Sequence, residues 1–164
     1  MISYTITRDS DCVTLAEAKA WLSIDNTAYD TIIEDVLIPA AQTAIERAMG
    51  LSLSNESTVI LKVDDFSADV EIELPIAPVQ EIVSVKSDDV AIDYEYNGVD
   101  EYPVIITSGS NIEVKYKAGY DEVDAELKLA VLIQTAYFFQ NRESSDIAQA
   151  VKSIIMRRGR NLML

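Results

Sequence analysis

Reactive side chains are scarce in this chain and poorly matched to one another. There is one cysteine, Cys12, and no histidine. Without histidine, the commonest general base and the commonest metal ligand are both missing. A lone thiol forms no internal disulfide and no thiolate metal site. Carboxylates remain. Asp64-Asp65, Asp88-Asp89 and Asp121-Glu122 are adjacent pairs, and paired carboxylates can do acid–base work or hold a hard cation. None has calcium-loop spacing, and in so acidic a chain adjacent acids read first as solvated surface in turns. Ser108-Gly109-Ser110 offers hydroxyls with no base to activate them. Gly119 stands alone where a phosphate cradle would need several glycines close together. The expectation is a protein without catalytic, cofactor-binding or metal sites, and not an enzyme.

The elements that would position any site alternate in character. Residues 1–13 read as an arm or loose strand. Thr14-Leu-Ala-Glu17 has the form of a capping box, opening a short helix from Leu15 to about Leu22. Leu15, Ala18, Trp21 and Leu22 share one face of it, with Trp21 expected as a core anchor. A long helix is predicted from about Thr27 to Met49 on a sustained 3-4 apolar spacing that includes Tyr29, Ile32, Ile33, Val36, Leu37, Ala40 and Ala41. Pro39 falls within it and predicts a kink. Gly50 closes it.

The period then changes to alternation. Thr58–Val63, Val70–Leu74, Glu81–Lys86, Tyr102–Thr107 and Ile112–Tyr116 read as strands, with a weaker one over Ile92–Tyr96. Asn97-Gly98 and Ser108-Gly109 are turn signals. Outward positions carry Glu71, Glu73, Glu81, Asp88, Asp89, Asp93 and Glu95. Tyr94, Tyr96 and Tyr102 surround a hairpin without the basic neighbours that stacking on single strands needs.

After Val114–Tyr120 comes a helix over Asp124–Arg142 that is apolar nearly all round. From Leu129 to Phe139 only Gln134 and Thr135 are polar. A helix on the surface of a lone globule shows a polar stripe, so this one must be covered by its own fold, a neighbouring subunit, or both. The apolar run is too short to span a bilayer. A last helix is expected after a cap at Ser144 or Ser145, with Ile147, Val151, Ile154 and Ile155 on one face. The chain then turns basic, with Lys152, Arg157, Arg158 and Arg160 before an apolar Leu162-Met-Leu164.

These elements give an α+β fold: N- and C-terminal helices packed as a small bundle, with an inserted antiparallel β module. Its parts are 1–52, 53–118 and 119–164, the first and last forming one compact domain. Acidic residues number 28 against 13 basic, a formal net charge of −15. That balance leaves no cationic excess to displace counterions from nucleic acid. The N-terminus lacks a basic segment followed by an apolar run, so an intracellular setting is expected.

Val13-Thr-Leu-Ala-Glu-Ala-Lys-Ala-Trp-Leu22, the helix ending Ala40-Ala…Ala44-Ile-Glu46…Gly50, and Leu74-Pro-Ile-Ala-Pro-Val-Gln-Glu-Ile-Val-Ser-Val85 resemble segments of the phage head–tail connector, or head-completion adaptor, family. Val114–Tyr120 and the helix ending Tyr137-Phe-Phe-Gln-Asn-Arg-Glu143 complete the pattern in order along nearly the whole chain. Ser23 departs from it, where members often carry a basic residue, as does Asp124, near where a proline is common. The resemblance implies a structural adaptor in the neck of a phage or prophage, assembled in the bacterial cytoplasm. It would form a homo-oligomeric ring under the portal protein, meet a tail or second connector protein, and let DNA pass without specific binding. On that reading Leu132, Tyr137, Phe138, Phe139 and Arg142 are the expected subunit interface. Arg157, Arg158, Arg160, Leu162 and Leu164 are expected to dock a partner. The other reading is an acidic DNA mimic or inhibitor that occupies a nucleic-acid-binding partner.

Both readings predict that the protein itself does not hold DNA. Titration with duplex DNA at physiological salt should give no binding in the micromolar range, because affinity of that order requires phosphate neutralisation.

Overall fold

The computed structural model describes residues 1–64, 70–98 and 103–158. The chain divides into two compact units, one of Met1–Asp9 with Ser54–Asp121 and one of Ser10–Leu53 with Glu122–Leu164.

The first unit is built of antiparallel sheet. Strand β1 (Ile2–Arg8) pairs along its whole length with β2 (Ser57–Val63), so of the two readings, arm or loose strand, this segment is a strand, ordered at the sheet edge and grouped with the sheets. Next come β3 (Val70–Glu73), β4 (Val79–Ser87), β5 (Val90–Ala91), β6 (Glu95–Asn97), β7 (Val104–Thr107) and β8 (Ile112–Ala118). One sheet has the order β1-β2-β8-β4-β5 and the other β3-β7-β6. Tyr102, the expected start of β7, and Asp65 lie outside the described residues.

Strict alternation explains the layering. In β2 and β8 every second side chain is buried, and the inward set (Val59, Leu61, Val63, Ile112, Val114, Tyr116) shares one apolar core with Ile72 and Ile105 of the smaller sheet. A slip of one residue would turn each of these outward. Tyr116 is completely buried, and its hydroxyl accepts the Ile76 N–H at 3.2 Å. The acidic positions predicted to face outward, from Glu71 to Glu95, are all exposed. At the end of β8, Gly119 has φ +145°, and a Cβ there would lie 2.4 Å from the Ser54 carbonyl oxygen. Only glycine fits that close backbone approach.

The second unit is helical. Helix α1 (Leu15–Leu22) starts with the predicted capping box: Glu17 N–H donates to Thr14 Oγ1, and Thr14 N–H donates to Glu17 Oε2 at 2.8 Å. Those Thr14 donors hold the Glu17 carboxyl below its usual range. Trp21 is not a core anchor; it is 48% exposed. At about 100° per residue it falls some 60° past the buried Ala18, away from Leu15 and Leu22.

The long helix is interrupted. It is α-helical over α2 (Asp30–Ile32), π-helical over Ile33–Leu37, and α-helical again over α3 (Ile38–Met49). Ile38 N–H donates to the Ile33 carbonyl, five residues back. Pro39 has no N–H to give Asp35 and its ring crowds that carbonyl. The wider π turn accommodates the proline where a kink was expected. It also shifts the phase. Ile33 and Ile38 are buried on one side, while Ile32 and Val36 are 41% and 53% exposed. Gly50 closes α3 with φ 63°.

Helix α4 (Ala125–Gln140) is capped by Asp124, whose carboxylate accepts the Glu126 N–H at 2.7 Å. Helix α5 (Gln149–Arg158) begins beyond the predicted serine cap, because Ser144 Oγ is used in the preceding loop by Asp146 N–H. Helices α1, α3 and α5 all pack on α4.

A polar brace fixes the ends of the α1–α3 segment. Gln42 and Glu46 are buried. Gln42 Oε1 accepts the Cys12 N–H at 2.8 Å, and Gln42 Nε2 donates to Glu46 Oε1 at 3.0 Å. That same oxygen accepts the Leu53 N–H at 2.8 Å. Glu46→Ala should therefore destabilise the protein by about 2–4 kcal/mol in chemical denaturation, since it leaves a buried amide without its acceptor. Glu46→Gln, which keeps an oxygen in place, should cost less than half as much. Burial, with Glu46 and Asp11 close by, pushes the Cys12 thiol up to about 12. Iodoacetamide at pH 8 should thus alkylate the native protein at least a hundredfold more slowly than the unfolded chain. Equal rates would contradict this.

Candidate interaction surface on the helical unit

The residues with chemical potential do not converge. Asp88 and Asp89 have φ 47° and 66° and form the two-residue turn between β4 and β5, the backbone that primed hairpin turns demand. Asp88 accepts from Asn111 Nδ2 at 2.6 Å and Ser110 Oγ at 2.9 Å, and these bonds lower its pKa. The pair is turn chemistry. Ser110 is tied into the same turn, its N–H donating to Ser87 Oγ at 3.1 Å. Asp121 and Glu122 are exposed. Among the described residues no three His, Cys, Asp or Glu side chains are grouped to hold a metal ion, and no helix is long and apolar enough to cross a membrane.

What the helical unit does present is an open apolar face. On α4 the buried stripe is Leu127, Ala130, Val131, Gln134 and Thr135, at i, i+3, i+4, i+7, i+8. The only two polar residues between Leu129 and Phe139 are thus the ones that point inward. Each is satisfied there. Gln134 Oε1 accepts the Ala148 N–H and its Nε2 donates to the Asp146 carbonyl, both at 2.9 Å. Thr135 Oγ1 donates to the Val131 carbonyl at 2.8 Å. This arrangement turns Leu129, Leu132 and Ile133 to the other side of the helix and leaves Tyr137, Phe138 and Phe139 half-buried near its C-terminal end. None of these is fully buried.

Of the residues expected at a subunit interface, Leu132, Tyr137, Phe138 and Phe139 are half-buried and Arg142 is exposed. Tyr137 Oη is 3.4 Å from Ser144 Oγ. Phe139 meets Tyr29 edge-to-face with ring centroids 5.3 Å apart, and the Arg142 guanidinium sits 5.9 Å above the Phe139 ring, a cation–π distance. Phe138 and Arg142 line an open, largely apolar groove of about 400 Å³ with Ile32, Val36, Leu37, Ala40, Ser144 and Ser145. Ile32, Val36 and Ala40 were missed as surface residues, because counting an unbroken helical period through Pro39 puts them on the core side. Pro39 was the one signal that the count would slip.

The partner-docking group is divided. Arg157 pairs with Glu126, while Arg158 Nη1 lies 2.8 Å from Asp124 Oδ1 and 3.3 Å from Glu126 Oε2. The Arg158 hydrogen bond holds the Asp124 carboxyl below its ordinary range, helped by the Glu126 N–H. Arg160, Leu162 and Leu164 lie outside the described residues.

The fold is shared with phage-like particles. At 19% identity, and covering 100% of this chain and 97% of the other, it matches a chain in the neck of an empty GTA particle computed with C6 symmetry, TM-score 0.80. With the same identity and coverage it matches chains from the virion of a native gene transfer agent particle (0.78) and from the neck of a native GTA particle computed with C12 symmetry (0.74). No curated protein matches the chain. The family model for head completion proteins matches residues 11–163, and the chain belongs to that family.

Proposed function

We propose that the protein is a structural adaptor of a phage or prophage neck. It assembles as a ring beneath the portal, continues the DNA channel, and offers a platform to the tail or a second connector. It takes up this place in the virion after assembly in the bacterial cytoplasm. The observation that carries the reading is the incomplete cover of α4: Leu129 is exposed, and Leu132, Ile133, Tyr137, Phe138 and Phe139 are only half-buried within the subunit. Apolar surface left uncovered and rimmed by polar residues marks association sites. Family membership supports the head-completion role, and the symmetric GTA necks whose chains share the fold support the ring. The exposed acids of the sheets suit a channel through which DNA slides without adhering.

Leu132, Tyr137, Phe138, Phe139 and Arg142 form the seam in this proposal. Leu132→Glu should leave the isolated subunit folded, with its melting temperature within a few degrees of the parent, because Leu132 lies outside the buried stripe of α4 and keeps part of its surface in water. The same change should abolish assembly by light scattering, alone or with a portal protein, and stop head completion. Assembly at parental levels would move the seam elsewhere. A parent protein that stays monomeric with the portal present would refute the ring.

A further inference from the structure

The two sheets of the β unit carry opposite charge on their outer faces. Their inward side chains share one core, so the outer faces look in opposite directions, as in other sheets packed face to face. On the five-stranded sheet the pairing sets Lys62 and Lys86 on either side of Glu113, Lys115 between Ile60 and Ser84, and Lys117 beside Glu81, all on the outward side. That face holds four of the chain's seven lysines against two glutamates, in a chain of formal net charge −15. Lys62 lies 3.1 Å from Glu113, and Lys117 lies 3.2 Å from Glu56 and 3.9 Å from Glu81. Lys86 and Lys115 meet no carboxylate among the described residues. The three-stranded sheet is the reverse. Across β3, β7 and β6 its outward rows are Glu71, Ile106, Glu95 and Glu73, Val104, Asn97, with no basic residue in either. The three glutamates are exposed, and so is Ile106 between two of them, at 39%. A sheet face that meets only water is polar throughout; here an isoleucine stands uncovered among acids.

Charge and symmetry select the occupant. Four lysines interleaved with glutamates offer too few free cations to hold nucleic acid, which needs many phosphates neutralised. An acidic protein face with an apolar centre suits them better, since half-buried Ile60 lies beside Lys115. This chain carries such a face on the far side of the same unit. Complementary patches on opposite sides make a head-to-tail contact, which closes into a ring where the rotation allows. A two-fold pair would instead set lysines on lysines or glutamates on glutamates. We infer that the lysine face of the five-stranded sheet receives the glutamate face of the three-stranded sheet of a second copy of this chain. The inference rests on the ring reading and adds to the α4 seam a second contact that gives it direction. The exposed acids outside this contact, Asp88 and Asp89 among them, are left for the channel.

Charge reversal in the full chain tests this, with assembly followed by light scattering in the presence of a portal protein. Lys86→Glu with Lys115→Glu makes the chain more acidic, and Glu71→Lys with Glu95→Lys makes it less so. A response to net charge alone would move assembly in opposite directions and would overturn the inference. Facing patches require each pair of reversals to raise the concentration for half-assembly by about tenfold or more. All four together restore both net charge and complementarity, and should return it to within about threefold of the parent. All four side chains point outward, so the isolated variants should melt within a few degrees of the parent. If a pair of reversals unfolds the subunit, the single changes Lys115→Glu and Glu71→Lys are read in its place. Loss of assembly in one variant alone would seat another protein on that face and overturn the inference, as would a quadruple variant no better than the pairs. Parental assembly by every variant would overturn it and leave the ring standing. A parent that does not assemble with the portal present would bring down both.

Discussion

The rotation of α4 about its own axis is set by one buried amide. Gln134 is fully buried, and the loop before α5 supplies both its donor and its acceptor. A buried side-chain amide left without partners costs about 1–3 kcal/mol, so the helix cannot turn freely to bury its aromatics. With Gln134 and Thr135 inward beside Leu127, Ala130 and Val131, the apolar Leu129, Leu132 and Ile133 are left on the other side of the helix. Leu129 is exposed, and Leu132, Ile133, Tyr137, Phe138 and Phe139 keep a minor part of their surface in water, so the subunit alone leaves part of their burial free energy unrealised. A partner covering the face would recover it.

Where local rules act on contiguous residues, the sequence reads plainly into structure. The capping box at Thr14 and Glu17, the left-handed close at Gly50 and the alternating strands all form as their patterns require. Legibility ended where one residue changed the count. Pro39 turns a uniform helix into one with a π segment, which sends Ile32 and Val36 outward and creates half of the groove. Trp21 misled for a related reason. Its size invited a core assignment, but its angular position on α1 lies off the face set by Ala18. Residues 1–13 gave no sign of pairing because β1 bonds to β2 across some fifty positions of sequence, and its mostly exposed side chains leave no alternation to read.

The candidate surface was half legible. The unusual apolarity of Leu129–Phe139 pointed to cover in trans, and of the residues named from it Leu132, Tyr137, Phe138 and Phe139 are left half-buried by the subunit. That Gln134 and Thr135 face inward could not be read, because a polar residue on a helix is assigned to solvent by default. Only the tertiary partners Asp146 and Ala148 reverse that assignment. Likewise Arg157 and Arg158 looked free for a partner, and their own-chain acceptors Asp124 and Glu126 sit some thirty residues earlier.

Charge and apolar surface pull in opposite directions here. Subunits of formal charge −15 repel one another, and that repulsion keeps an exposed apolar face from indiscriminate association. Assembly must therefore combine apolar burial with a local pairing of opposite charge. Arg157 and Arg158 contribute little to such pairing, because Asp124 and Glu126 already hold them within the chain. Arg142 is better placed. It lies on the open side of α4, over Phe139 and beside the groove, where a neighbour's carboxylate could reach it. An ion pair formed there would be partly desolvated by the surrounding aromatics and worth more than one in open water. In the proposed ring the seam would gain its energy from apolar contact and its register from a few charges, while the remaining acids would stay in solvent and limit growth to the contacts that fit.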